Sequence, residues 1–226
     1  MPYYRRECLE TVSVEEKSEV EERVLQAARK LFLARGVAKT PLRAVAAEAG
    51  TSESGILRFF RDKDDLVHAV IDSCWVEVNA RIAEALRVNS ERSDDPRFLL
   101  IEVVRAILEH AATDKRARSF LVSHFHYTLS AGSDEKHPTA NASRFNAYRE
   151  YRLTIDELCA RIAAYDPGLR EAGITQAGLC HLTLSLLYGI SGGWYLSERN
   201  PMVHGPAVPL EDALVVLRRV VYADGS

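Results

Sequence analysis

The residue types that could perform chemistry lack the spacing that enzymes and metal sites need. His124 and His126 are two positions apart, so on a helix their side chains point about 200° apart and cannot hold one ion. The sequence contains no Gly-rich phosphate loop, no GxSxG motif and no HExxH motif. We therefore predict no catalytic residue, no metal site and no cofactor. The cysteines lie far apart without CxxC spacing, which favours free thiols in a reducing compartment: Cys8, Cys74, Cys159 and Cys180.

Basic side chains are concentrated in one stretch of the chain. Residues 29–63 carry eight Lys or Arg and three Asp or Glu, although the whole chain has a formal net charge of −3. Basic side chains neutralise phosphates and position a protein on nucleic acid without reading its sequence. The pattern excludes a basic coat over the whole protein and favours a single nucleic-acid-binding face. An ordinary solvated surface is the alternative.

Three short helices are predicted to position these basic residues. Apolar residues recur at helical spacing up to Gly36, where glycine can take the left-handed conformation that ends a helix. Thr40 is expected to cap the second helix, with Pro41 at its first position, and Gly50 to end it. Ser52 is expected to cap the third helix. Two short helices around a glycine turn form a helix-turn-helix, which places its second helix in the DNA major groove.

The stretch from 22 to 72 closely resembles the N-terminal domain of the TetR family of bacterial transcriptional regulators. The matching features include Arg35-Gly36, Leu42-Arg43, Ala49-Gly50, the Phe60 anchor, and Lys63 followed by two acidic residues. The resemblance implies a homodimeric, cytoplasmic repressor that binds a palindromic operator and is released by a small apolar or aromatic effector. The alternatives are an activator, a regulator controlled by a protein partner, and an all-α enzyme that keeps the motif as a scaffold.

The third helix departs from the family pattern at its outer positions. Glu53 stands where the family usually has Lys, and Leu57 stands where a Tyr usually donates to a phosphate. Arg58 is a candidate to replace that contact. If Ile56 faces the core, Leu57 turns toward the groove and can meet a thymine methyl, unless it is a tolerated surface residue or packs on the next helix. The predicted DNA-binding residues are Thr40, Arg43, Ser52, Glu53, Ser54, Gly55, Leu57, Arg58 and Lys63.

The rest of the chain is also predicted to be helical, which gives an all-α fold of about nine helices. We divide it into an N-terminal arm (1–18), a three-helix DNA-binding domain (19–66) and a ligand-binding and dimerisation domain (67–226). After a long helix from Asp64 to Val88, the predicted helices are Pro96–Ala112, Lys115–Ser130, Ser143–Tyr165, Ile174–Leu196 and Leu210–Tyr222.

The C-terminal helices carry two further predicted features. Aromatic and polar side chains there suggest the wall of an effector cavity, with ordinary core packing as the alternative: Trp75, Phe120, His124, Tyr127, Tyr148, His181 and Tyr188. The helix Ile174–Leu196 lacks charged residues and contains Gly189, Gly192 and Gly193. Together with Leu210–Tyr222 it suits half of a four-helix dimer interface. The alternative is that this helix is buried within one subunit. The polar residues and glycines of the helix argue against a membrane span.

Overall fold

The computed structural model describes residues 4–119, 122 and 146–222, and every regular element among them is an α-helix. This confirms the predicted all-α fold, with a helix-turn-helix near the N-terminus and helices beyond it. Residues 115–119 are helical as well. The helices, numbered in chain order, are α1 (Tyr4–Arg35), α2 (Leu42–Ala49), α3 (Glu53–Ile56), α4 (Lys63–Ser90), α5 (Pro96–Thr113), α6 (Asn146–Tyr165), α7 (Pro167–Glu171), α8 (Gln176–Arg199), α9 (Pro201–His204) and α10 (Leu210–Val221).

The chain divides into two compact units, the first ending at Asp72 and the second beginning at Ser73, within α4. In the first unit α2 packs against both α1 and α3. Small residues of α2, Ala46 and Ala49, are buried, which lets these short helices cross closely. The core of this unit is formed by Val24, Ala28, Leu31, Phe32, Val45, Ile56, Phe60, Leu66 and Val70.

The second unit is built around α5. This helix packs against α6, α8 and α10, and it is apolar on most sides, as expected for a helix enclosed by others. The Asp95 side chain accepts a hydrogen bond from the backbone N–H of Arg97 at 2.9 Å, and Pro96 occupies the first helical turn. These are the residue types that start helices. The buried residues of α5 include Leu99, Leu100, Val103, Val104, Ile107 and Leu108.

The structure differs from the sequence analysis at several helix ends. Helix α1 begins at Tyr4, so residues 4–18 belong to it rather than to a separate arm. Helix α3 is only four residues long; it ends at Ile56, and the chain turns before it reaches Phe60. The short helices α7 and α9 were not predicted. None of the helices described is long and apolar enough to cross a membrane.

Candidate nucleic-acid interface

A glycine turn joins α2 to α3. Gly50 adopts φ 66° and ψ 38°, in the left-handed region that glycine occupies most readily. Its N–H donates to the Ala47 carbonyl at 3.4 Å, and the N–H of Thr51 donates back to the Ala46 carbonyl at 2.9 Å. This pair of backbone bonds closes the C-terminus of α2 and sets the direction in which α3 leaves it. The predicted role of Gly50 is confirmed.

The start of α3 is held by a cluster of small residues. The Ser52 hydroxyl oxygen accepts a hydrogen bond from the N–H of Gly55 at 3.0 Å, which confirms Ser52 as the helix cap. The hydroxyls of Ser52 and Ser54 also share a hydrogen bond of 2.9 Å. A Cβ atom placed on Gly55 would lie 2.3 Å from Oγ1 of Thr51, so any larger residue requires a local shift. These contacts fix the backbone of α3.

In the segment 53–60, which begins with α3, one side is buried and the other is presented to solvent. Ile56 and Phe60 are fully buried and anchor the segment in the core. Leu57 is 48% exposed, which fits the expectation that it turns away from the core. Glu53 and Arg58 are exposed as well. The outward surface of this segment therefore combines an acidic, an apolar and a basic side chain.

The chain is fixed again immediately after α3, where α4 begins. Oδ1 of Asp62 accepts from the N–H of Asp65 at 2.7 Å, and Oδ2 of the buried Asp65 accepts from the N–H of Arg61 at 2.8 Å. The guanidinium of Arg61 also donates to Asp65 at 3.2 Å. This hydrogen bond and the carboxylate charge of Asp65 raise the pKa of Arg61. The reciprocal bonds resemble a capping box and hold the chain where it leaves the α3 segment, as Ser52 holds it where α3 begins.

Seven of the eight basic residues of this region fall into two groups. Some make contacts within the protein: Lys30 forms an ion pair with Glu48, Arg61 pairs with Asp65, and Nζ of the half-buried Lys63 donates to the Val37 carbonyl at 2.6 Å. The second group is exposed and forms no ion pair with any residue that the structure describes. It is therefore available for phosphate groups: Arg35, Lys39, Arg43 and Arg58.

The predictions that Thr40 caps the second helix and contacts DNA are wrong. Its side chain is fully buried, and its hydroxyl donates to the carbonyls of Gly36 at 2.9 Å and Leu31 at 3.4 Å. The N-cap position of α2 is Pro41, which provides no side-chain hydrogen bond. Thr40 ties the start of α2 to the end of α1, and its side chain is not on the surface where DNA could reach it.

Three of the predicted effector residues come together in the second unit. The Trp75 ring stacks on Tyr151 with centroids 4.5 Å apart and is tilted against Tyr148 at 5.1 Å. Burial, followed by the neighbouring tyrosines, raises the pKa of Tyr188, and burial likewise raises the pKa of Tyr151. Tyr151 was not among the predicted effector residues, although it lies three residues after Tyr148 on the same helix face.

The other predicted effector residues are not in this cluster. His181 is exposed on α8. Phe120, His124 and Tyr127 lie outside the residues that the structure describes. Whether any of these side chains line an effector cavity stays a prediction.

A cavity of about 890 Å³ lies between α4 and α5, within the second unit. Ala80, Ala85 and Ala106 are among its small apolar lining residues, and none of the predicted effector residues lines it. Its acidic lining residues are Glu77, Glu84, Glu102, Glu109 and Asp114. In the described part of the chain, no three His, Cys, Asp or Glu residues come together as metal ligands would.

One face of α8 is exposed and uncharged. Gly189 and Gly193 lie on it, and a Cβ atom added at either position meets no atom within 4 Å beyond the helix itself. Leu196 is also exposed on this helix, and Val215 and Val216 are 43% and 51% exposed on α10. Such a set of small and apolar side chains on a protein surface is typical of a contact with another protein.

The geometry of α2, the Gly50 turn and α3, within an all-α fold, defines a helix-turn-helix protein. Residues 24–70 match the family described as bacterial regulatory proteins, tetR family. The chain is 30% identical over 113 residues to the transcriptional regulator AcrR of Shigella flexneri, covering 50% of this chain and 51% of that protein. It is 32% identical over 101 residues to the transcriptional repressor BepR of Brucella suis, covering 45% of this chain and 47% of that protein.

A comparison with a solved structure shows that the chain shares the fold of a TetR-family regulator. A putative TetR-family regulator from Rhodococcus sp. superposes with a TM-score of 0.63 and 18% identity, covering 92% of this chain and 100% of that one. The chain spans about half the length of the curated relatives it matches. The family match over residues 24–70 and the curated relatives confirm the predicted resemblance to the TetR family of bacterial regulatory proteins. Its relatives are transcriptional regulators, in agreement with the expectation that it is not an enzyme.

Proposed function

We propose that this protein is a homodimeric transcriptional repressor that acts in the cytoplasm, binds a palindromic operator and is released by a small molecule. The observation that carries the proposal is the exposed face of α3. Hydrogen bonds hold the chain both where α3 begins and shortly after it ends. Arg43 and Arg58 supply positive charge beside that face without forming an ion pair to a described residue. A rigid helix flanked by unpaired cations is what binding in a major groove requires.

The exposed face of α8 supports the dimer. An uncharged helix face with glycines allows a second helix to approach closely, and α10 adds apolar side chains beside it. In a symmetric dimer the same surfaces of two subunits meet, which gives four helices at the interface. Two recognition helices then read two half-sites about one DNA turn, 10–10.5 base pairs, apart.

Repression and its release follow from these two features. The relative BepR is named a repressor, and a protein on its operator obstructs transcription directly. A ligand that binds more tightly to a dimer geometry with the wrong half-site spacing lowers DNA affinity by shifting the population toward that geometry. The cavity between α4 and α5 and the aromatic cluster around Trp75 are two candidate places for such a ligand.

Selection from random DNA tests the proposal. The purified full-length protein is incubated with a random duplex pool, bound DNA is sequenced over several rounds, and the oligomeric state is measured by sedimentation velocity. We expect a palindrome and a dimer. A monomer, or a pool without an enriched sequence, would contradict the proposal.

A further inference from the structure

The carboxylate of Glu53 is an unusual group to find at a DNA-binding surface. It is exposed on α3, and it forms no hydrogen bond or ion pair with any residue that the structure describes. The neighbouring hydroxyls of Ser52 and Ser54 bond to each other. Glu48, the other glutamate of the α2–α3 unit, is paired with Lys30. Glu53 alone therefore presents an unpaired acidic side chain on the outward face of α3.

A carboxylate in a major groove needs a donor from the DNA. Each phosphate repels it, and removing it from water without a hydrogen bond is costly. Guanine and thymine present only acceptors or a methyl group there, so they offer nothing to a carboxylate. The available donors are the amino groups of adenine, N6, and cytosine, N4.

Cytosine suits a carboxylate better than adenine does. The adenine amino group lies between two acceptors, its own N7 and O4 of the paired thymine, and both repel the second carboxylate oxygen. The cytosine amino group has an acceptor on one side, O6 of the paired guanine, and only a C–H group on the other. Acceptance from cytosine N4 is accordingly the usual base contact of Glu and Asp.

We propose that Glu53 selects a cytosine at one position of each operator half-site by accepting a hydrogen bond from its N4 amino group. This inference rests on the proposed binding of α3 in the major groove. It assigns Glu53 to discrimination between bases, whereas Arg43 and Arg58 supply affinity through phosphates. Because the hydrogen bond to cytosine offsets the repulsion by phosphates, Glu53 adds little net affinity for the selected site. It penalises every site that lacks the donor.

The test compares base preference in the wild-type protein and in Glu53→Ala and Glu53→Gln. Each full-length protein first undergoes selection from random DNA. Its affinity is then measured by anisotropy titration on four duplexes, which differ only in the base at the half-site position where wild type is proposed to select cytosine. We expect wild type to prefer cytosine by about tenfold over thymine, and Glu53→Ala to lose that preference. Glu53→Gln is expected to shift the preference toward adenine, because an amide pairs with both N6 and N7 of adenine.

Glu48→Gln is the matched control, since it removes the same charge from the same unit at a side chain already paired with Lys30. It is expected to retain the cytosine preference. The inference would be overturned if both Glu53 variants kept the preference for cytosine and bound all sequences more tightly by the same factor. That result would show that Glu53 acts only through its charge. A wild-type protein that enriches no sequence would instead overturn the proposed function, and this inference with it.

Discussion

Substituting Gly189 and Gly193 by leucine should break the dimer and leave the subunit folded. Both glycines are exposed on the uncharged face of α8, and added side chains meet open space within the subunit. Leucine is a better helix former than glycine by about 0.7 kcal/mol per site. The double variant should therefore stabilise the isolated subunit by about 1.5 kcal/mol, or about 3–6 °C in melting temperature.

The effect on the dimer has the opposite sign. If two α8 helices approach closely at these glycines, the symmetric interface must accommodate four leucine side chains. Overpacking costs about 1 kcal/mol or more for each, so the dimer is weakened by about 4 kcal/mol, or about a thousandfold in dissociation constant. Sedimentation velocity across protein concentrations measures this constant, and circular dichroism verifies the fold.

Ala164→Leu is the control, since it also places an exposed leucine on a helix, in this case on α6 outside the proposed interface. This variant should dimerise like wild type. A Gly189→Leu/Gly193→Leu protein that dimerises as tightly as wild type, or more tightly, would refute close approach through α8.

Further predictions concern the turn, the recognition segment and acid stability. Gly50→Ala should cost about 1–2 kcal/mol in urea unfolding because alanine is strained at the positive φ of 66°, and an unchanged midpoint would contradict the role of this turn. Leu57→Tyr should lose a preference for thymine at one position per half-site in selection from random DNA; a uniform gain in affinity would show only a restored phosphate contact. Burial raises the pKa of Asp95, and the hydrogen bonds and charge of Arg97 outweigh it, so the net shift is downward. The folded protein therefore gains stability from this carboxylate at neutral pH and loses it as the pH falls below about 4. In Asp95→Asn this acid-dependent loss of stability should be smaller. Acid unfolding curves that are identical for wild type and Asp95→Asn would contradict the prediction.

Local signals in the sequence predicted the helix-turn-helix well. Gly36, Gly50 and Ser52 act through backbone conformations and hydrogen bonds that involve only residues close to them in sequence. Their roles can therefore be predicted without knowing the fold. The exposure of Leu57 followed from helical spacing relative to Ile56. The Asp-Pro and Asn-Pro pairs at the starts of α7 and α9 are helix signals of the same kind, although no helix was predicted at either place.

Features that depend on distant residues could not be predicted in this way. Thr40 resembled a cap by its type and by the proline after it, but the carbonyls of Gly36 and Leu31 take its hydroxyl. Lys63 was expected to face DNA, and its ammonium reaches Val37, which lies 26 positions earlier in the chain. The cavity between α4 and α5 is lined by charged residues that lie far apart in the sequence, such as Glu77 and Glu109, so its lining could not be predicted from local patterns.

The salt dependence of operator binding tests the central claim, that the α2–α3 surface binds DNA, most directly. The measurement compares wild type with Arg43→Ala/Arg58→Ala on the selected operator, and Arg170→Ala on α7 controls for loss of an exposed arginine elsewhere. Each phosphate contact contributes about 0.9 to the slope of log affinity against log salt, so the double variant should lower the slope of the dimer by about 3–4. Arg170→Ala should leave the slope unchanged. A double variant with the affinity and slope of wild type would contradict the account.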